Sequence, residues 1–269
     1  MDKLERKAAA LDRAATKAEQ VAAKLAAKAS RLDDVSARLA SLDLWMRAEP
    51  GSRKPRFSRD DIAAAALRIA DTEGFEALSM RRLATELGSG TMTLYHYVRT
   101  KDELLALLHD AVMAELLIPD QELPSDWRRA IMLIADRSRI SWQRHPWALD
   151  IHIDPAPGPN GAKHFEQSLR AVESYGGTFA ERVELITAVD EYVFGYCFFA
   201  RSNGPAATEY DKDMLAYMNG LLAGGNYPTL RAIRDQFGLP RVLKELGEVM
   251  ADTGRFHRNL ERLLDGFDR

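Results

Sequence analysis

The side chains that most often carry out covalent chemistry do not form a catalytic pattern in this chain. Its one cysteine, Cys197, lies within the aromatic run at 194–199, which predicts a buried thiol rather than a nucleophile. His145 is followed by a proline, and its separation from His152 does not match a pair of metal ligands on one helix face. The sequence also shows no serine elbow and no phosphate loop. We therefore expect no enzymatic activity, no catalytic residues, no cofactor and no metal site.

A short run of basic side chains indicates a different chemistry, the neutralisation of phosphate. Arg53, Lys54 and Arg56 lie in residues 49–57, a linker whose two prolines and one glycine prevent a helix. Flexible basic arms of this kind bind DNA with little sequence preference, often through the minor groove. We predict that these three residues contact DNA.

The formal charge is only −3, but it is unevenly distributed. The net charge is +2 over residues 1–52, +3 over 53–101 and −8 over 102–269, so we expect a polyanionic partner at the front of the chain. The single cysteine fits a reducing compartment. The chain has no uncharged apolar run of about 18 residues, and its N-terminus lacks a secretory pattern. A cytoplasmic protein without a membrane partner is therefore expected.

The elements that would position a DNA contact follow the basic linker. Ser58 with Asp61 and Thr100 with Glu103 predict capping boxes at two helix starts, and Ser79 predicts a third start. The expected helices are one ending near Gly74, then 80–87, 91–98 and 101 to about 117. A glycine-rich turn joins the two short helices, and this arrangement predicts a helix-turn-helix.

Four stretches of this segment occur in a known combination: 66–84, 87–88, 93–98 and 101–105. Together they resemble the DNA-binding domain of the TetR family of transcriptional repressors. The resemblance implies an all-helical homodimer, whose C-terminal domain binds a small effector and thereby controls the binding of DNA.

The resemblance also implies DNA contacts for seven side chains. Thr91 and Thr93 stand at the start of the recognition helix, where side chains reach base edges. The other implied contacts are Tyr95 and His96 to phosphate and the groove wall, Lys101 to phosphate, and Ser79 and Arg81 to the DNA backbone or a guanine edge. Tyr97 is left open between a contact and a core position.

The second half of the chain also has helical periodicity, and its spacing resembles the C-terminal domain of the tetracycline repressor class. The resemblance places His152 where that repressor has a histidine that binds the magnesium of its drug complex. Apolar Ile134 and Ala200 stand near the expected places of polar drug-binding partners. We therefore do not expect a metal–tetracycline site.

Aromatic side chains are dense in this half, which favours an apolar effector pocket closed by a few polar groups. The residues expected to touch an effector are Trp147, His152, Tyr192 and Tyr196. The last predicted helix carries apolar residues whose spacing suits a face toward a partner subunit, plain core, or both at once: Phe256, Leu260, Leu263 and Leu264.

Residues 1–48 predict one long helix, because 13 of the first 40 residues are alanine and no helix breaker occurs among them. The apolar residues repeat as a coiled-coil seam, with leucines at 4, 11, 25, 32 and 39 and a second row at 14, 21, 35 and 42. Lysines at 7 and 28 interrupt the second row. The alternatives are a solvated helix, or a coil that pairs with itself or packs on the rest of the protein. We predict contact with a second subunit or with the C-terminal domain.

Together these features predict an all-α protein with four parts. They are a coiled-coil-like helix at 1–48, a basic linker at 49–57, a helix-turn-helix DNA-binding domain at 58–118, and an effector-binding and dimerisation domain at 119–269. The expected function is a ligand-responsive regulator, a repressor, which binds palindromic double-stranded operator DNA as a homodimer. A small apolar or aromatic effector would release it. The alternative is an interaction or scaffold protein built around the coil, with DNA binding secondary.

Overall fold

Helices account for all regular secondary structure in the part of the chain that the structure, a computed structural model, describes: residues 35, 36, 38–49, 57–150, 157–203 and 212–268. The all-α prediction is confirmed. Four of the predicted site residues, Arg53, Lys54, Arg56 and His152, lie outside the described residues, as does most of the predicted N-terminal coil.

The helices are α1 (described over 38–46), α2 (Arg59–Glu73), α3 (Met80–Glu86), α4 (Thr91–Tyr95), α5 (Lys101–Leu116), α6 (Trp127–Arg144), α7 (Pro159–Ala171), α8 (Phe179–Asn203), α9 (Lys212–Ala223), α10 (Pro228–Phe237), α11 (Leu239–Ala251) and α12 (Arg255–Asp265). Short 3₁₀ turns occur at Phe75–Ala77, Asp120–Glu122, Pro146–Asp150 and Glu173–Tyr175.

The chain divides into two units. The first comprises Met1–Pro119 and Arg144–Gln167, and the second comprises Asp120–Gln143 and Ser168–Arg269. The domain boundaries given by the sequence stay a prediction.

The predicted helix starts of the first unit depend on local hydrogen bonds. The hydroxyl of Ser58 accepts from the Asp61 backbone N–H at 3.1 Å, and the Asp61 carboxylate accepts from the Ser58 N–H at 2.8 Å. This is the reciprocal capping box that the sequence predicts. The Ser79 hydroxyl likewise accepts from the backbone N–H of Arg82 at 3.2 Å and begins α3.

The helix start at Thr100 differs from the predicted capping box. The Thr100 hydroxyl accepts from the Glu103 N–H at 3.1 Å as expected. The Glu103 carboxylate, however, accepts from the Arg99 N–H at 2.8 Å and from the Arg47 guanidinium at 2.7 Å, and so makes no reciprocal bond with Thr100. A strong charge-assisted pair is available to Glu103, and its side chain turns toward α1 instead.

The two helices of the helix-turn-helix are shorter than predicted. The first ends at Glu86, and the turn that follows contains Gly88 with a φ of +59°, a conformation that glycine adopts without strain. The second ends at Tyr95 because the N–H groups of His96 and Tyr97 bond three residues back instead of four.

One apolar core supports this motif. Leu83 and Leu94, one from each short helix, are fully buried together with Val98. Tyr97 is 4% exposed in the same cluster, which resolves the open alternative in favour of core. Leu44 of α1 is also fully buried in it.

The second unit is built around α12. Phe256, Leu260 and Leu264 are buried within the chain's own fold, so they serve as core. The helix α8 begins at a capping box, in which the Thr178 hydroxyl and the Glu181 carboxylate each accept a backbone N–H from the other. A small separate cluster of Leu222, Leu239 and Leu243 joins α9 to α11.

A side-chain cap also begins α6. The carboxylate of Asp126 accepts the Arg129 N–H at 3.0 Å. The Ser125 carbonyl accepts from the Ser174 hydroxyl at 3.0 Å.

Candidate nucleic-acid interface

The predicted DNA-contacting residues of the first unit lie on its surface. Ser79, Arg81, Tyr95, His96 and Lys101 are exposed. Thr91 and Thr93, at the start of α4, are half-buried. The apolar residues Leu83 and Leu94 of the same helices are buried, so the side chains predicted to contact DNA lie on the opposite face.

Five of these residues meet in one open groove of about 600 Å³. The groove is lined by the start of α3 (Ser79 and Arg81), by α4 (Thr91 and Tyr95) and by the start of α5 (Lys101). Thr93 and His96 are not part of its lining. Three helices therefore bring hydroxyl, guanidinium and ammonium donors to one concave surface.

The neighbouring residues Arg81 and Arg82 differ in whether their guanidinium groups are already paired within the protein. Arg82 donates from Nε to Glu73 at 2.9 Å and from a terminal nitrogen to Glu86 at 3.0 Å, and these hydrogen bonds raise the pKa of its guanidinium. Within the described ranges, Arg81 has no ion-pair partner, and neither does Lys101. Their positive charges therefore remain available to a phosphate.

Lys101 stands in the first turn of α5, a helix of 16 residues whose free N–H groups also favour an anion. Of the two carboxylates in this first turn, Asp102 and Glu103, the second is already engaged, because Glu103 is 2% exposed and is held by Arg47. The Arg47 guanidinium also donates to the Tyr97 carbonyl at 3.1 Å. The hydrogen bond with Glu103 raises the pKa of Arg47.

Two residues of this surface were missed by the sequence analysis. Met92 is 74% exposed between Thr91 and Thr93, and a flexible apolar side chain there suits a thymine methyl group. The helical period could have shown it, because Leu94 fixes the buried face of α4. Arg99 lines the groove and lies 3.5 Å from Asp43 of α1, and no local pattern marked it.

Comparison with known proteins decides the family. Residues 62–108 match the family described as bacterial regulatory proteins, tetR family, and residues 119–269 match the tetracyclin repressor-like C-terminal domain. The chain belongs to the TetR family of transcriptional regulators. This is a family of regulators and not of enzymes, and it binds DNA through the helix-turn-helix.

Individual relatives agree with this assignment. The chain is 34% identical over 236 residues to the HTH-type transcriptional repressor DrrR1 of Streptomyces coeruleorubidus, covering 84% of this chain and 83% of that protein. It is similar in structure to the TetR family protein ActR of Streptomyces coelicolor in complex with (S)-DNPA. The TM-score is 0.61 and the identity 28%, covering 80% of this chain and 98% of ActR. ActR in complex with actinorhodin gives a TM-score of 0.58 and 28% identity, covering 78% and 96%.

The predicted effector contacts fall in both units. Trp147 belongs to the first, where its ring N–H donates to Asp71 at 2.7 Å and its ring stacks on Phe75 at 5.8 Å. The imidazole of His145 shares the same carboxylate, with Nδ1 2.7 Å from Asp71. Both aromatic side chains are therefore tied to α2, the supporting helix of the DNA-binding motif.

Tyr192 and Tyr196 are brought together in the second unit, with ring centroids 6.3 Å apart. Both pack on Phe256, at 5.4 and 5.0 Å, and the Tyr192 hydroxyl donates to the Phe256 carbonyl at 2.8 Å. The Arg139 guanidinium lies over the same ring, 5.1 Å from the Phe256 centroid. Phe256 and Arg139 are thus members of the aromatic cluster that the sequence analysis did not name as such.

No group of three or more histidine, cysteine, aspartate or glutamate side chains in the described ranges is arranged to hold a metal ion. No helix in the same ranges is long and apolar enough to cross a membrane.

Proposed function

We propose that this repressor binds a near-palindromic operator as a homodimer, with α4 of each subunit in the major groove. The observation that carries the proposal is the groove in which Ser79, Arg81, Thr91, Tyr95 and Lys101 meet while the charges of Arg81 and Lys101 stay unpaired within the described chain. Half-sites would then lie about one helical turn apart.

The proposed roles follow from where each group stands. Thr91, Thr93 and Met92, at the start of α4, read base edges. Lys101 and Arg81 neutralise phosphates on either side of that helix, and Tyr95 and His96 contact phosphate and the groove wall. The sequence adds the basic arm of Arg53, Lys54 and Arg56 as a further salt-sensitive contact.

We also propose an aromatic effector and a dimer built on the second unit. The complexes of ActR with (S)-DNPA and actinorhodin support an aromatic ligand, since this chain is similar to ActR over most of its length. The effector contacts we propose in this unit are Tyr192 and Tyr196, whereas Trp147 and His152 stay predictions from the sequence. For the dimer, Phe194 and Phe198 stack on one exposed face of α8 at 6.3 Å, an apolar surface suited to a second subunit.

The DNA proposal is tested by binding isotherms over a salt series. An operator is first selected from a random duplex pool and compared with a scrambled duplex. Lys101→Ala should lower the salt slope by roughly one unit on both duplexes, because one phosphate loses its partner. Thr93→Ala should cost ~1–3 kcal/mol on the selected duplex alone.

Lys212→Ala, in the second unit, is the matched control for charge and should change neither slope nor affinity. An unchanged slope for Lys101→Ala, together with equal weakening of both duplexes by Thr93→Ala, would mean that the recognition helix is misplaced.

The effector proposal is tested with actinorhodin as the probe. It should release the protein from the selected duplex and change the tryptophan fluorescence, with a coupling of ~1–3 kcal/mol. Tyr196→Ala should weaken this response, whereas Tyr217→Ala, an exposed tyrosine of α9, should not. Release that is equal in both variants would remove Tyr196 from the effector site.

A further inference from the structure

The end of the N-terminal helix has two apolar faces. One face packs on the DNA-binding core of its own unit, where Leu44 and Ser41 are fully buried and Trp45 is half-buried. Arg47, just beyond α1, secures this contact through its bidentate pair with Glu103. The sequence prediction did not include this contact of the described part of the helix with the DNA-binding domain.

The other face of α1 is exposed along its length. The seam consists of Val35 at 53%, Leu39 at 62%, Leu42 at 45% and Met46 at 84% exposure. These positions are separated by four, three and four residues, the spacing of a coiled-coil seam. Met46 extends the predicted leucine register by one further heptad.

The chain's own DNA-binding core cannot cover this seam. At 100° per residue, the seam lies on the side of α1 opposite Leu44, which is the residue that faces the core. A stripe of four large apolar side chains in water is a mark of an interaction surface. The same register continues in the sequence back to Leu4, outside the described residues.

We infer that the seam pairs in parallel with the seam of a second copy of this chain. The charges that flank the seam favour a second copy as the partner and a parallel orientation of the two helices. One flank carries five basic residues: Lys3, Lys17, Lys24, Arg31 and Arg38. In the heptad pattern of the sequence, the other flank is small and uncharged at Ala8, Ala15, Ala22, Ala29 and Ser36 and is acidic only at Asp43.

In a parallel pair the basic flank of one helix faces the small flank of the other. In an antiparallel pair the two basic flanks would face each other, and the like charges would repel. A second copy also has the same heptad repeat, and in a parallel pair its lysines at 7 and 28 would fall at the same levels as those of the first copy. The sequence therefore favours its own copy in parallel orientation.

This pairing has a consequence for DNA binding. Because the DNA-binding core packs on the face of α1 opposite the seam, the two paired helices would lie between the two DNA-binding domains. The coil would then act as a spacer between the recognition helices. This consequence rests on the proposed operator binding, but the pairing itself does not.

Cysteine cross-linking of the full chain, without DNA, tests the pairing. In a parallel coil, Leu42 of one copy lies beside Leu42 of the other, within the separation that a disulfide requires. Leu42→Cys should shift under mild oxidation from one-chain to two-chain mass in denaturing electrophoresis. Ala48→Cys, exposed just after the helix and away from the seam, is the matched control and should stay at one-chain mass. The unaltered chain is a second control, because its Cys197 is buried.

The result is decisive in either direction. Equal cross-linking of Leu42→Cys and Ala48→Cys would indicate collision and would overturn the inference. So would a Leu42→Cys thiol that is protected from alkylation yet fails to cross-link, because another segment or an antiparallel partner would then cover the seam. Leu39→Glu combined with Leu42→Cys should abolish the cross-link, while Ser36→Glu with Leu42→Cys should retain it. The affinity of these variants for a single operator half-site tests the proposed DNA binding separately from the pairing.

Discussion

Residue types in the sequence pointed to two regions, the groove across α3, α4 and α5 and the aromatic cluster around Phe256. The two regions differ in whether their polar groups already have partners within the protein. In the groove, the charges of Arg81 and Lys101 have no ion-pair partner among the described residues. In the cluster, the Tyr192 hydroxyl already donates to the Phe256 carbonyl. Trp147, in the first unit, likewise donates to Asp71.

The two sets of side chains differ in unused bonding capacity, which is open at Arg81 and Lys101 and already used by the polar groups of Tyr192 and Trp147. A buried polar group is normally satisfied within its own protein, whereas a group kept for a ligand stays open. Arg81 and Arg82 show the same contrast at adjacent positions, because only Arg82 is bound by Glu73 and Glu86.

The largest expected effect separates the core of the groove region from its surface. Leu94→Ala should lower the free energy of unfolding by ~2–5 kcal/mol, because Leu94 is fully buried. Met92→Ala, two residues earlier and exposed, should change it by no more than ~0.5 kcal/mol while weakening operator binding. Denaturant unfolding and binding isotherms check both. A large stability loss for Met92→Ala would assign Met92 to the core.

The second prediction concerns the two adjacent arginines. Arg81→Ala should lower the salt slope of DNA binding by roughly one unit, because a free guanidinium that meets phosphate is removed. Arg82→Ala should leave the slope unchanged and change the stability little, since its ion pairs are screened by solvent. Equal salt slopes for the two variants would contradict the expectation that Arg81, and not Arg82, contacts phosphate.

The third prediction examines the aromatic cluster. Tyr192→Phe should lower the free energy of unfolding by ~0.5–1.5 kcal/mol through loss of the hydrogen bond to Phe256. Tyr196→Phe is the control and should cost less, since no hydrogen bond of its hydroxyl occurs among the described residues. If Tyr192→Phe is as stable as the parent and yet no longer responds to actinorhodin, the Tyr192 hydroxyl contacts the ligand instead of stabilising the fold.

The smallest expected effect is at alkaline pH in the same region. Burial raises the pKa of the Cys197 thiol from 9.0 to about 11. The unfolded chain therefore releases this proton first, and the free energy of unfolding should fall as the pH rises from 9 through 11. Thermal unfolding over this range should show a smaller decline in Cys197→Ala. An identical decline in both proteins would place the thiol in a more solvated position.

Local sequence determined much of the DNA-binding motif. The caps at Ser58 and Ser79 join groups three residues apart, so residue types and spacing suffice to predict them. The inward positions of Leu83 and Leu94 follow from helical period in the same way. The groove residues could be named because the family resemblance covers this continuous segment.

Only the tertiary structure decided which of several local possibilities each group takes. Glu103 pairs with Arg47 across 56 positions of sequence in place of closing the local capping box. Leu44, outside the leucine register, enters the core, while Leu39 and Met46, the described members of that register, stay exposed. Such contacts depend on which distant surfaces meet, and a short-range pattern carries no information about that choice.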